Sequence, residues 1–189
     1  MKLPNNYRET QAFTGEVRRL APGGHVCVIQ GARVEQSRNG RDMLVVRFDI
    51  AENGNYGFYR EMYDRALKYN PQAAWPGVYR VVIADENGNC TGFFKGLIAA
   101  IEESNEGYSF ERVNADERTL SGKKLGLVFR EEEYQGRDGK IRTAVRPAWA
   151  VPADRADEAD IPAKRTLENP IAPPPPAYEA DDTNDDLPF

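Results

Sequence analysis

The chain holds few of the side chains from which catalytic centres are built. It has one histidine, His25, and two cysteines, Cys27 and Cys90, too far apart in sequence for a CxxC pair. A single histidine supplies neither a histidine-based metal cluster nor a Ser–His–Asp relay, and a lone histidine is usually structural. Glu131-Glu132-Glu133 offers the carboxylates of a metal-dependent nuclease, but adjacent strand residues point to opposite faces and cannot converge on one ion. Gly122-Lys123-Lys124 lacks the GxxxxGK[ST] frame of a phosphate-binding loop. No catalytic residue, metal site or cofactor is expected, and an enzyme is not. What remains is non-covalent chemistry by cations and flat rings: Arg47; Tyr56, Tyr59, Arg60 and Tyr63; Lys140, Arg142 and Arg146; and Trp149. Aromatic faces stack on unpaired bases while cations follow phosphates, so such interleaving suits a single nucleic-acid strand. The same aromatics equally suit a core, and alternating charge is what any solvated strand face shows.

These residues need a sheet to present them. After Pro22-Gly23-Gly24 a first strand is expected from His25 to about Gln36. A turn at Ser37–Asp42 follows, containing the Asn39-Gly40 pair that favours hairpins. Met43 to Ala51 alternates cleanly, with Leu44, Val46, Phe48 and Ile50 on one side. Tyr56 to Tyr63 reads as a third strand. Residues 64–90 read as a long connection with a helical turn near Arg65–Tyr69 and a β-prone stretch, Val78 to Ile83. A helix should carry Phe93, Phe94, Leu97, Ile98 and Ile101, capped by Thr91 and stopped by Ser104–Gly107. A strand from Leu120 to Tyr134, with Leu125, Leu127 and Phe129 inward, leads through a turn at Gln135–Gly139 into a last strand from Lys140 to Val151, where Pro147 disturbs the pairing. With the doubtful stretch set aside, the order β-β-β-α-β-β is that of an OB-fold, a five-stranded Greek-key barrel: a mainly β domain with one helix. The hairpin tips bring two further cation pairs, Arg38/Arg41 and Arg137/Lys140, next to the sheet.

Charge divides the chain. Residues 1–151 carry 22 Lys and Arg against 20 Asp and Glu, and residues 152–189 carry 3 against 10; these balances of +2 and −7 make up the net charge of −5. After Val151 periodicity ends, and prolines, including Pro173–Pro176, sit among Ala, Asp and Glu. Such a stretch buries too little to offset its ordering entropy. The expected organisation is an N-terminal arm over 1–22, a nucleic-acid-binding body over 23–151, and a disordered, Pro-rich acidic tail over 152–189, so that a chain cut near Ala153 should still fold. No membrane span and no signal peptide are expected, which points to the cytoplasm; in that compartment the cysteines are expected as buried thiols rather than a disulfide.

The tail ends in Asp185-Asp186-Leu187-Pro188-Phe189, behind Glu179, Asp181 and Asp182. This resembles the C-terminal tip of bacterial single-stranded DNA-binding proteins, where acidic residues precede a terminal Pro-Phe. The resemblance implies docking of replication, recombination and repair proteins. A terminal Phe can fill an apolar pocket while its carboxylate meets a basic rim. The alternative is a merely solubilising acidic tail. The body is similar to single-stranded DNA-binding proteins of phages and prophages of Gram-positive bacteria, through Pro22-Gly23-Gly24, Met43–Glu52, Phe93–Ile98, Ile101–Asn105 and Phe129–Tyr134. That likeness implies sequence-tolerant coating of single-stranded DNA during phage or prophage replication or recombination, in a bacterial host cell. A strand-annealing or recombinase-loading accessory, and an adaptor that binds no DNA, remain alternatives. The sequence also leaves open whether the chain is a homo-oligomer.

Overall fold

The computed structural model describes residues 18–52, 54–136 and 138–168. Strands β1 (Gly23–Gln36), β2 (Asp42–Ile50), β3 (Val78–Val82), β4 (Lys124–Gln135) and β5 (Ile141–Val151) form one antiparallel sheet, with helix α1 (Phe58–Leu67) before β3 and α2 (Gly92–Ser104) after it. The spatial order is β3-β2-β1-β4-β5, so the fourth strand returns beside the first in Greek-key fashion. The fold is mainly β, as expected, but it has two helices rather than one, and its third strand is not the expected one.

Tyr56–Tyr63 is the correction. The segment is the start of α1, and the β-prone stretch Val78–Val82 is the strand. Gly57, at φ 67°, turns the chain into the helix. The buried carboxylate of Asp49 on β2 then accepts the backbone N–H groups of Tyr59 at 2.9 Å and Arg60 at 3.2 Å, donors that a helix N-terminus leaves without intrahelical partners. An aromatic-rich octapeptide suits either state locally; a carboxylate waiting on the neighbouring strand selects helix.

The alternation on β2 and β4 is as expected: Leu44, Val46, Phe48 and Ile50 meet Leu125, Leu127 and Phe129 in the core, under Leu97, Ile98 and Ile101 of α2. Thr91 caps α2 by accepting the Phe94 N–H. Phe93 departs from expectation, since it is exposed. Cys27 is buried and Cys90 is exposed, so only one of the two thiols lies in the core. His25 is buried against Phe129, with Nδ1 on the Glu52 carboxylate and Nε2 on the Ala21 carbonyl. Both hairpins use the same turn: Gly40 donates to the Ser37 carbonyl and Gly139 to the Gly136 carbonyl, each glycine at φ 74°. β5 shifts register between Pro147 and Trp149. Among the described residues no helix is long and apolar enough to cross a membrane.

The packed chain does not stop at Val151. Ala153 donates to Ser104 Oγ at 2.9 Å, Arg155 pairs with Glu103, and Ala156 is fully buried on the outer side of β1. The chain then reaches β4, where Arg165 bridges Glu132 in parallel: the Glu133 N–H donates to the Arg165 carbonyl and the Arg165 N–H to the Glu131 carbonyl. Few apolar residues are needed, because the segment is held by backbone hydrogen bonds and by glycines that let it approach. A Cβ at Gly24 would lie 1.8 Å from the Ala156 carbonyl oxygen. Gly24→Ala should therefore destabilise by about 1–3 kcal/mol through overpacking. Gly96→Ala, in the middle of α2 with open space around it, should stabilise by about 0.5–1 kcal/mol. Urea unfolding of the two variants checks this; a neutral Gly24→Ala would mean that residues 153–161 do not bear on the sheet.

Candidate nucleic-acid interface

Directly paired residues of an antiparallel sheet share a face, so the register identifies what the outer face presents. Arg33 of β1, Val45 of β2 and Arg80 of β3 form one row across three strands; Gly31, Arg47 and Val78 form the next. All three arginines are exposed. Val45, although it points outward between Arg33 and Arg80, is only 2% exposed. At Gly31 the Arg47 guanidinium lies 3.1 Å from where a Cβ would sit, so the missing side chain lets it lie across β1. Arg33 pairs with Glu35, whereas Arg47 and Arg80 have no ion pair among the described residues.

Beside this face stands an aromatic group. The Trp75 indole N–H donates to the Phe48 carbonyl at 2.9 Å, one residue along β2 from Arg47. Tyr63 packs against it with ring centroids 5.3 Å apart, and the Arg60 guanidinium lies over the indole at 5.7 Å. Arg60 and Tyr63 thus stand together as expected, but on a helix and through Trp75. Tyr56 is 75% exposed at the turn before α1. Tyr59 is a correction: it packs edge-on against Phe48 and Phe58 in the core, where burial pushes its hydroxyl well above the usual phenol range. It is not available for stacking.

The remaining expected residues fall into three places. Arg38 is exposed and Arg41 half-buried at the β1–β2 tip. At the β4–β5 hairpin, Lys140 is exposed at the tip, Arg142 pairs with Asp138 at 2.8 Å and Arg146 lies over the Tyr134 ring at 5.6 Å. Because β4 runs antiparallel to β1, the two hairpins project from opposite ends of the sheet and bracket the outer face. Trp149 is half-buried beside Gly92, Phe93 and Gly96 of α2, away from Arg47. Arg137 and Asp185–Phe189 lie outside the described residues. Of the three glutamates, Glu132 pairs with Arg130 at 2.7 Å and Glu133 with Lys164 at 2.7 Å, on opposite faces of β4.

No protein-family model matches this chain, and no curated protein matches it. The reading therefore rests on geometry. Sequence reasoning missed Arg33, Arg80 and Trp75. Arg80 was within reach, since alternation in Val78-Tyr79-Arg80-Val81 turns it away from the buried Tyr79 and Val81 once that stretch is taken as a strand.

One pH dependence follows. Lys164, together with the Leu167 N–H, holds the Glu133 carboxyl below its usual value of 4.5. A carboxyl with a depressed folded-state pKa contributes stability above its unfolded value and loses it as pH falls through the folded one. Residues 164–167 should therefore detach from β4 as pH falls below the usual carboxylate range, and Glu133→Gln should remove that dependence. Hydrogen exchange at the Arg165 amide, followed against pH, reads this directly; protection unchanged at low pH would contradict it.

Proposed function

We propose that this chain binds single-stranded DNA with little sequence preference, coating it during phage or prophage replication or recombination. The observation that carries the reading is the pair Arg47 and Arg80: exposed, not ion-paired among the described residues, on neighbouring strands of one face and flanked by the Arg60–Trp75–Tyr63 group. Free guanidiniums at strand spacing suit successive phosphates, and a half-buried indole beside them offers a base a stacking partner. The surface is a sheet face rather than a projecting helix, which favours a flexible strand over the major groove of a duplex.

The sheet itself is read as a partly open OB-type barrel. The Greek-key order, the helix between β3 and β4, and the Tyr79 hydroxyl 3.5 Å from the Ala148 carbonyl, which brings β3 towards β5, all support that reading. Burial pushes that hydroxyl's pKa up to about 12, so it stays a neutral donor. In such barrels the face of strands two and three and the loops 1–2 and 4–5 are the usual oligonucleotide surface, and here they carry Arg47, Arg80, Arg38, Arg41 and Lys140.

Neutralising phosphates releases counterions, so affinity should fall with salt, with a log–log slope of about −0.7 per phosphate for single strands. Arg47→Ala with Arg80→Ala should weaken binding of a dT oligonucleotide about tenfold or more and flatten the slope by about 1.4. Titration followed by Trp fluorescence tests both; equal affinity for a duplex of the same length would sink the coating model.

Partner recruitment is proposed for Asp185–Phe189, on sequence alone. The acidic residues steer towards basic surfaces, and Leu187-Pro188-Phe189 offers an apolar group with few conformations to lose. Burying a Phe side chain is worth roughly 1.5–3 kcal/mol. Phe189→Ala should therefore weaken capture of replication or recombination proteins by about one to two orders of magnitude while strand affinity stays the same. Equal recovery with both proteins would reduce the segment to a solubilising spacer.

A further inference from the structure

Where β3 faces β5 the sheet leaves a crevice of about 350 Å³, in the size range of ligand pockets rather than of a lone ion site. Three arginines line it from three separate elements: Arg80 from β3, Arg130 from β4 and Arg165 from the segment after β5. One carboxylate, Glu132, stands among them, 2.7 Å from Arg130 and 4.0 Å from Arg165. Three cations against one anion leave the crevice short of negative charge. Its wall includes Phe93, the α2 ring that is 61% exposed although its spacing suits a core position. Phe93 also borders the shallow pocket of Trp149.

We propose that this crevice is a second nucleotide-binding slot: it takes one backbone phosphate of a single strand between Arg80, Arg130 and Arg165 and stacks the attached base on Phe93. The inference rests on the single-strand reading above and extends the path of the strand from the β1–β2–β3 face, through the shared Arg80, to the other side of β3. It also gives residues 152–168 a function. They deliver Arg165 to the site, held there by backbone bonds to Glu131 and Glu133 that do not involve its side chain. Guanidinium forks suit phosphate oxygens, and an exposed ring beside them distinguishes a nucleotide from a simple anion. Glu132 tunes the slot, since in the free protein it satisfies part of what a phosphate would.

The test uses the full chain and a dT 20-mer, with fluorescence anisotropy across a salt series. Arg165→Ala should weaken binding about threefold to tenfold and lower the log–log slope by about 0.7, one phosphate's worth. Glu132→Gln should do the opposite and tighten binding about threefold, because it removes the competing anion; a damaged fold would not give a gain. Phe93→Ala should weaken binding while leaving the slope in place. Wild-type affinity and slope in both Arg165→Ala and Glu132→Gln, alongside a weakened Arg47→Ala, would overturn the slot and leave the coating function standing. If the wild-type protein binds no dT 20-mer, the coating reading fails by itself and calorimetry with tripolyphosphate decides the slot. Heat that vanishes in Arg165→Ala upholds an anion site, and no heat from the wild type overturns it.

Discussion

Strand β1 is hydrogen-bonded along both edges, but to different partners along its length, and most of the molecule follows from that. Gly23–Val28 pair with β4, while Cys27–Gln36 pair with β2. Each neighbour therefore runs past β1 at the opposite end, and the two hairpins leave the shared zone in opposite directions. A two-stranded ribbon is marginal in water, so each extension needs a third element. β3 supplies it for β1–β2, pairing Val78–Val82 with Arg47–Met43. The chain around Arg165 supplies it for β4–β5. The stretch after Val151 thus packs because a sheet edge had no other partner, and edge pairing asks little of side-chain hydrophobicity. Its glycine-lined approach follows the same logic: Gly24 and Gly126 lie where Ala156 and Pro152 come too close for a Cβ.

Asp49 is the second determinant. A buried carboxylate costs much unless hydrogen-bonded, and this one accepts three backbone N–H groups, from Ile50, Tyr59 and Arg60. Hydrogen bonds to charged groups contribute about 1.5–3 kcal/mol each, so the arrangement outweighs the modest preference of Tyr and Phe for strands. It also decides the site. As a strand, Tyr56–Tyr63 would have turned alternate aromatics towards solvent; as a helix it sends Phe58 and Tyr59 into the core and leaves Arg60 and Tyr63 to embrace Trp75.

The legible parts of the fold were those with a strong period and a matching stop signal. β2, β4 and α2 each show both, and their inward residues are the core. The Asn-Gly and Asp-Gly pairs identified both hairpins. What the sequence left hidden depends on partners distant along the chain. Nothing within Tyr56–Tyr63 refers to Asp49, and nothing near Arg165 refers to the open edge of β4. The site was legible to the same degree. Arg47, Arg38, Arg41 and Lys140 stand where alternation and turn chemistry put them, whereas the row Arg33–Val45–Arg80 exists only once three strands are in register. Phe93 shows the converse error, since helical spacing cannot distinguish a core ring from one at the margin of the buried stripe.

Net charge is a poor guide to this surface. The β1–β2–β3 part of the sheet has an outer side with Arg33, Arg47 and Arg80, and an inner side where Val34 and Leu44 border an apolar groove rimmed by Glu102, Glu111 and Glu117. Packed layers stand about 10 Å apart, and the Debye length at physiological ionic strength is about 8 Å, so the acidic rim is largely screened from the outer side. A polyanion approaching the outer face therefore meets the local excess rather than the total of −5. That excess is set by two carboxylates already engaged by arginines, Glu35 with Arg33 and Glu132 with Arg130. Phosphates would have to compete with those two carboxylates for Arg33 and Arg130, whereas Arg47 and Arg80, which have no ion pair among the described residues, would meet them with no such exchange. The face thus holds its arginines in two states, Arg33 of the central β1 and Arg130 of β4 engaged by carboxylates and Arg47 of β2 and Arg80 of the edge strand β3 without an ion pair among the described residues, so the first contacts of an arriving strand would fall on β2 and β3.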